Sequence, residues 1–142
     1  MIIKPFEPKD LDSLRNRPTQ KHVSEALYSD RYIELLASSN SWTAKDGDDV
    51  MGCAGLIESW PGHYQAWAIL ASDLGGHGML QCTRAIKRML EVQDGRIETF
   101  VAADFEQGHR WMSVLGFERE TPGVMRKWFP DGSAAVLYAR VS

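Results

Sequence analysis

The chain has 142 residues, 44% of them hydrophobic, and a formal net charge of −3. This length supports one domain around a single core and excludes two ordinary domains, so we expect one domain over residues 1–142. The slightly acidic balance argues against nucleic-acid binding, and the sequence contains neither a run of roughly 20 apolar residues nor a recognisable secretory leader. We therefore expect a protein that is not secreted and that contacts no nucleic acid and no membrane.

The first half of the chain predicts one strand, helical material and then an antiparallel meander. Residues 2–6 are a short β-like run, and apolar side chains recur at helical spacing in the segment after it. These side chains are Val23, Ala26, Leu27, Ile33, Leu36 and Ala37. Residues 42–44 and 50–57 are predicted strands joined at Asp46-Gly47, because this glycine supplies the positive φ of a tight hairpin turn. A turn at residues 60–62 leads into a third strand over residues 64–70.

The second half predicts two helices that alternate with strands. Residues 74–78 are glycine-rich and open an amphipathic helix that we expect Gly95 to end as a left-handed cap. The face of this helix comprises Met79, Cys82, Ile86, Met89, Leu90 and Gln93. Residues 97–102 are a predicted strand, and residues 105–115 are a helix that Gly116 terminates. Strands over residues 124–129 and 134–141, joined by the turn Pro130-Asp131-Gly132, close the chain as a hairpin.

The predicted order is therefore β-α-α-β-β-β-α-β-α-β-β. With its glycine loop before the central helix and SVLGF at the end of the last helix, this order resembles the GNAT superfamily of acyl-CoA-dependent N-acetyltransferases over nearly the whole chain. The resemblance implies an α+β (α/β) fold of the GNAT type. Such a fold has a mixed, mostly antiparallel central sheet of about six or seven strands, flanked by about four helices.

A narrower resemblance concerns the segments GLIESWPG, YQAWAIL, HRWMSVLGFERE and PDGSAAVLYARV. They are similar to GNAT-like proteins of tailed phages, including relatives of the internal virion protein A of short-tailed phages. This implies a location in the cytoplasm of an infected bacterial host or in the virion. It also implies a phage or host protein as a partner.

The glycine loop resembles the pyrophosphate-binding segment of the family. That segment starts with Arg or Gln, continues with two residues, Gly and one residue, and ends with Gly or Ala; its backbone N–H groups at a helix N-terminus favour an anion. Gly76 and Gly78 match the pattern, whereas Asp73 at the leading position would repel a phosphate or cap the helix. The resemblance implies acetyl-CoA as the cofactor, and a purely structural glycine turn is the alternative. The implied binding residues are Leu74, Gly75, Gly76, His77, Gly78 and Met79.

Acetyl transfer to an amine needs a base that frees the nitrogen lone pair and an acid that protonates the leaving thiolate. Many GNAT enzymes use a Tyr as the acid, with an Asn earlier on the same helix. Counting back from the glycine of SVLGF places these positions at Met112 and Phe105, and neither side chain donates a proton. The remaining candidate acids are Ser113, an ordered water and a group from elsewhere in the chain.

Two residues are candidates for the base. Glu58 is expected near the point where the sheet opens, and His63 begins the next strand across the turn. The alternative for both is a solvated position on the rim of the sheet.

The cysteines, histidines and tryptophans are the remaining residues that could form a site. Cys53 and Cys82 lie in apolar periodic stretches and are expected to be reduced core thiols. The four histidines are dispersed, so no metal site is expected. Trp60, Trp67, Trp111 and Trp128 are expected to converge on the core or on a substrate groove.

The sequence leaves two functions open. One is a GNAT-like acyltransferase that moves an acetyl group from acetyl-CoA to an amine of a protein or small molecule. The other is a catalytically inactive phage protein of the same fold that is associated with the virion or acts on a host protein.

Overall fold

The computed structural model describes residues 1–15 and 29–142. Its helices and strands alternate as predicted, except that the strand before the last one lies at residues 118–119 and not at 124–129. The elements are β1 (Ile2–Pro5), α1 (Asp10–Arg15), α2 (Asp30–Ser38), β2 (Asn40–Asp46), β3 (Asp49–Trp60), β4 (His63–Leu70), α3 (Gly75–Glu91), β5 (Arg96–Ala102), α4 (Glu106–Val114), β6 (Glu118–Arg119) and β7 (Ala135–Val141). The predicted helical positions Val23, Ala26 and Leu27 lie outside the described residues.

The strands form one seven-stranded sheet in the order β1-β2-β3-β4-β5-β7-β6. Its neighbouring strands are antiparallel except for β4 and β5, which are parallel. Both predicted hairpin turns contain a glycine with positive φ, 60° at Gly47 and 87° at Gly62. The mixed, mostly antiparallel sheet is therefore confirmed.

The helices cover both faces of the sheet. Leu11 and Leu14 of α1 and Leu36 of α2 pack in one cluster with Trp67 of β4. Leu90 of α3 and Met112 of α4 pack in a second cluster, which also contains Ala66 of β4. Because successive strand residues point to opposite faces, α1 and α2 lie on one side of the sheet and α3 and α4 on the other.

The two predicted glycine caps have different outcomes. Gly116 ends α4 as predicted: its φ is 86°, and Phe117 N–H donates to the Met112 carbonyl at 2.9 Å in a Schellman arrangement. The prediction for Gly95 is wrong, because α3 ends at a Val92 cap with φ of −85°. Gly95 lies in the following turn, where a Cβ would come within 2.5 Å of the Gly62 carbonyl oxygen.

The predicted strand over residues 124–129 is also wrong. Met125 makes one isolated bridge with Ala135, and Lys127 has a φ of 54°, which no β-strand accommodates. The amides of Trp128 and Phe129 both donate to the Ser133 carbonyl, which closes a turn instead of a ladder. The partner of β7 at the sheet edge is β6 instead, which the sequence pattern did not predict.

Cys53 and Cys82 are free and buried, as predicted for core thiols. Burial raises the pKa of the Cys53 thiol to about 12. Among the described helices, none has the length and apolar character needed to cross a membrane.

Candidate functional site

The central feature of the sheet is an opening between β4 and β5. These strands pair over three positions only, from His63↔Arg96 to Gln65↔Glu98. Both strands continue beyond this point, but the ladder between them stops, and the Thr99 hydroxyl donates to the Ala66 carbonyl at 3.1 Å where it ends. The strands therefore diverge toward their carboxyl ends and leave the facing backbone edges without ladder partners from each other.

A cavity of about 370 Å³ occupies this opening. Its walls come from β4 and β5, from helices α2, α3 and α4, and from the segment between β6 and β7. Its lining residues include Tyr32, Gln65, Trp67, Phe100, Met112 and Trp128. The cavity thus reaches both faces of the sheet through the gap between the two strands.

The glycine loop lies at the open end of this gap, because α3 begins shortly after β4 ends. Gly75, with φ of 68°, and Gly76 are exposed, and Gly78 is buried against Met51 and Leu74. Among the described residues, and apart from its chain neighbours and the backbone of its own helix, no heavy atom lies within 4 Å of the position that a Cβ on Gly76 would occupy. The first N–H groups of α3, which have no partner within the helix, are therefore accessible to an anion.

The sequence left two roles for Asp73, and its position bears on both. The N-cap of α3 is Leu74, which makes no side-chain capping bond, so exposed Asp73 lies one residue before the cap. Residue 73 is therefore adjacent in the chain to the helix end that would receive a phosphate. Because like charges repel, a carboxylate at this position disfavours an anion there.

The wall formed by α4 and the residue before it is apolar at the two positions that the resemblance assigned to Tyr and Asn. Met112 is buried and lines the cavity, and Phe105 precedes α4 and lines it as well. The Phe105 ring packs against the first turn of α4 because residue 108 is glycine: a Cβ there would approach the ring to 2.6 Å and Val101 to 2.8 Å. The wall has no proton donor at either position.

The three candidate catalytic residues lie elsewhere. Glu58 is exposed and pairs with Tyr64 at the closed end of the gap, so its predicted position near the opening is wrong. His63 lies at the same end, with Nε2 at 3.1 Å from Glu98 Oε1 and its ring stacked on Trp60 at 4.3 Å. Ser113 is exposed on α4. None of the three lines the cavity.

Sequence reasoning missed several residues that do line it. Tyr32 of α2 contributes its phenol, whose pKa is raised by burial, and Gln65 of β4 contributes an amide. Gln65 and Trp67 lie on one face of β4, and Ala66 lies on the other. This two-residue alternation is visible in the sequence and indicates that Gln65 and Trp67 share a face. Of the four tryptophans that were expected to converge on the core or on a groove, Trp67, Trp111 and Trp128 line the cavity. Trp60 is 62% exposed at the far end of β3.

No protein-family model and no curated protein matches the sequence. Solved structures match its fold. The structure of Ard1 from Thermoplasma volcanium aligns with a TM-score of 0.79 at 17% identity, covering 99% of this chain and 96% of that chain. The fold is therefore the GNAT fold.

Two further GNAT-fold matches have a similar extent. A GNAT-family acetyltransferase from Bacillus anthracis aligns with a TM-score of 0.64 at 14% identity, covering 98% of this chain and 93% of that chain. The ribosomal-protein-S18-alanine N-acetyltransferase from Escherichia coli aligns with a TM-score of 0.70 at 16% identity, covering 97% and 91%. The GNAT fold thus accounts for nearly the whole chain.

Proposed function

We propose that the protein is a GNAT-type N-acetyltransferase that binds acetyl-CoA in the gap between β4 and β5. The observation that carries this proposal is the coincidence of the open gap with the exposed N-terminus of α3 at the same end of the sheet. When bound, acetyl-CoA supplies the acetyl group: the carbon–sulfur bond breaks as the bond to the amine nitrogen forms, and one proton passes from the amine to the thiol. The acetyltransferase activities of the solved neighbours agree with this proposal.

The residues at the gap fit such a molecule in two places. The amides of Leu74, Gly75, Gly76, His77 and Gly78, with Met79 behind them, would hold the pyrophosphate through hydrogen bonds and the helix dipole. The backbone edge of β4 would pair with the amide groups of the pantetheine arm where β4 and β5 separate, since the ladder between these two strands ends at Gln65.

Glu58, His63 and Ser113 stay predictions from the sequence. Because none of them lines the cavity, a proton that they exchange with an amine or a thiol must travel through water. Substitution of each by Ala tests the role. Loss of a general acid or base lowers kcat by roughly 100-fold or more, whereas a residue outside the proton path leaves kcat close to that of the wild type.

Calorimetry with acetyl-CoA tests the binding site. Gly76→Glu places a carboxylate beside the amides without a steric clash, and Gly123→Glu is the matched control because residue 123 is also exposed and has open space around its Cβ position. We expect saturable binding by the wild type and by Gly123→Glu and none by Gly76→Glu. Absence of binding by the wild type at millimolar acetyl-CoA would overturn the proposal.

A second candidate function is the phage protein that has kept the fold and lost catalysis. The apolar residues Met112 and Phe105 at the family's Tyr and Asn positions favour it. Under this candidate the protein releases no CoA thiol with any amine, and mass spectrometry finds it in purified virions or bound to a host protein. Steady thiol release with an amine would exclude it.

A further inference from the structure

The cavity has two halves, because it passes through the sheet. Ala66 of β4 faces α3 and α4, whereas Gln65 and Trp67 face the side of α1 and α2. The glycine N-terminus that would hold acetyl-CoA belongs to α3, on the first side. The half on the α2 side is therefore the part left for the acceptor amine.

The walls of this second half are aromatic. Tyr32 comes from α2, Trp67 from β4, Phe100 from β5 and Trp128 from the segment between β6 and β7. Trp128 packs against Phe100 with ring centroids 4.5 Å apart and the rings tilted by 36°, and it remains 46% exposed, so it forms the mouth of the half-cavity. Flat rings on several sides bury a flat apolar molecule well.

The local backbone holds Trp128 at this mouth. Lys127 has the left-handed φ of 54°, which is unfavourable for a residue with a side chain. The amide of Trp128 donates to the Ser133 carbonyl at 3.0 Å, and the amide of Gly132 donates to the Phe129 carbonyl at 2.8 Å. A backbone conformation of this kind persists where the surrounding turn enforces it, so the position of the indole is set by the fold.

The uncharged lining of the cavity also favours a ligand with an apolar body. Among the residues that the structure describes, no Asp, Glu, Lys or Arg lines the cavity. Glu98, which lies next to Gln65 in the register, is already paired with Arg96 at 2.7 Å and with His63 at 3.1 Å. A second ammonium group on the acceptor would lose its water there without gaining a carboxylate partner, which is costly.

We propose that the acceptor is a primary amine carried on an aromatic body, an arylalkylamine, and that it carries no second cationic group. This inference rests on the proposed acetyltransferase function. The aromatic walls enclose the body of the acceptor, and the amine enters the gap in its neutral form. A polyamine, whose second amino group is cationic near neutral pH, and a lysine side chain, which has no aromatic body, fit this half-cavity poorly.

The test compares 2-phenylethylamine with spermidine and with a lysine-containing peptide, each by calorimetric binding and by release of CoA thiol from acetyl-CoA. Trp128→Ala is paired with Trp60→Ala, since both remove an exposed indole and only Trp128 lines the cavity. We expect 2-phenylethylamine to bind at least tenfold more tightly than spermidine. Its affinity should fall about tenfold in Trp128→Ala, stay unchanged in Trp60→Ala and recover in Trp128→Phe.

Spermidine or the peptide binding as well as 2-phenylethylamine would overturn the inference. So would an equal effect of the two tryptophan variants, or no binding of 2-phenylethylamine. Failure of the acetyltransferase proposal has a different signature: acetyl-CoA does not bind, while 2-phenylethylamine still binds in a manner that depends on Trp128.

Discussion

The indole nitrogen of Trp111 donates a hydrogen bond to Thr83 Oγ1 at 3.0 Å, and this hydroxyl donates to the Met79 carbonyl at 2.7 Å. The chain of bonds joins α4 to α3 beside the cavity. Because Trp111 also lines the cavity, the spacing of the two helices and the shape of the site are coupled.

We expect this pair to be energetically coupled in folding. Trp111→Phe and Thr83→Val each remove one partner of the bond, and a hydrogen bond of this type contributes about 0.5–1.5 kcal/mol net. Urea unfolding of both single variants and the double variant should give a coupling energy in that range. Trp60→Phe combined with Thr83→Val is the control and should be additive; additivity of the Trp111 pair would contradict the prediction.

Removing the carboxylate at the N-terminus of α3 should strengthen acetyl-CoA binding. Asp73→Gln removes a like charge next to the exposed amides, and we expect affinity to rise roughly three- to tenfold at low salt and less at high salt, where the charge is screened. Calorimetry at two salt concentrations measures this. Asp94→Gln, an exposed position past the far end of α3, changes net charge equally and should leave affinity unchanged. An identical effect of the two variants would show that only net charge matters.

Restoring a phenol on α4 should raise the rate of acetyl transfer. Met112→Tyr places a hydroxyl on the cavity wall at the position of the family's acid, and Met112→Phe supplies the same ring without the proton donor. General acid catalysis contributes about 100-fold or more, and with imperfect placement we expect kcat to rise by at least tenfold in the Tyr variant only. Equal kcat values for the Tyr and Phe variants would show that the hydroxyl adds nothing.

The stability of the fold should fall in acid through Asp10. Its buried Oδ2 accepts hydrogen bonds from Lys4 Nζ at 2.9 Å, from Thr43 Oγ1 at 2.7 Å and from the Glu7 amide at 2.9 Å. Burial alone raises the pKa of Asp10, but these hydrogen bonds and the Lys4 charge outweigh it, so the pKa lies below its ordinary value. The contribution to stability is therefore complete above the unfolded pKa of about 4 and is lost as pH falls through the lower folded pKa.

Asp10→Asn measures this contribution. We expect it to lower the free energy of unfolding by about 1–3 kcal/mol at pH 7, with a loss that shrinks as the pH falls through the folded pKa of Asp10 and the wild type becomes protonated too. Asp12→Asn on the exposed side of α1 is the control. A wild-type pH dependence retained in Asp10→Asn would assign the acid sensitivity to other carboxylates.

Much of the architecture could be predicted from the sequence because it depends on short-range preferences of the residues. The positive φ values at Gly47, Gly62, Gly116 and Gly132 belong to turns and caps whose geometry depends on a few neighbouring residues. Hydrophobic periodicity in α3 and α4 and along β3 and β4 likewise reflects which face each element buries. These local signals were enough to predict the alternation of helices and strands through α4.

Where local signals conflicted with longer-range pairing, the predictions were wrong. Trp128 and Phe129 have high β-propensity, yet their amides bind Ser133 and not a strand. Gly95 looked like a helix cap because glycine often serves as one, but its lack of a side chain is required by the approach of the β3–β4 turn. Glu58 was expected at the opening, but the sequence contains no signal for the end at which the ladder between two parallel strands stops.

The sequence by itself thus determined the alternation of helices and strands through α4, most of the turns, and the apolar character of Met112 and Phe105. Only the tertiary structure decided where the sheet opens and which side chains meet there. The parallel pairing of β4 and β5 stops after Gln65, and this brings Tyr32, Phe100 and Trp128 around one cavity. Residues so far apart in the chain share no local pattern; their contact depends on strand order and on the packing of helices over the gap.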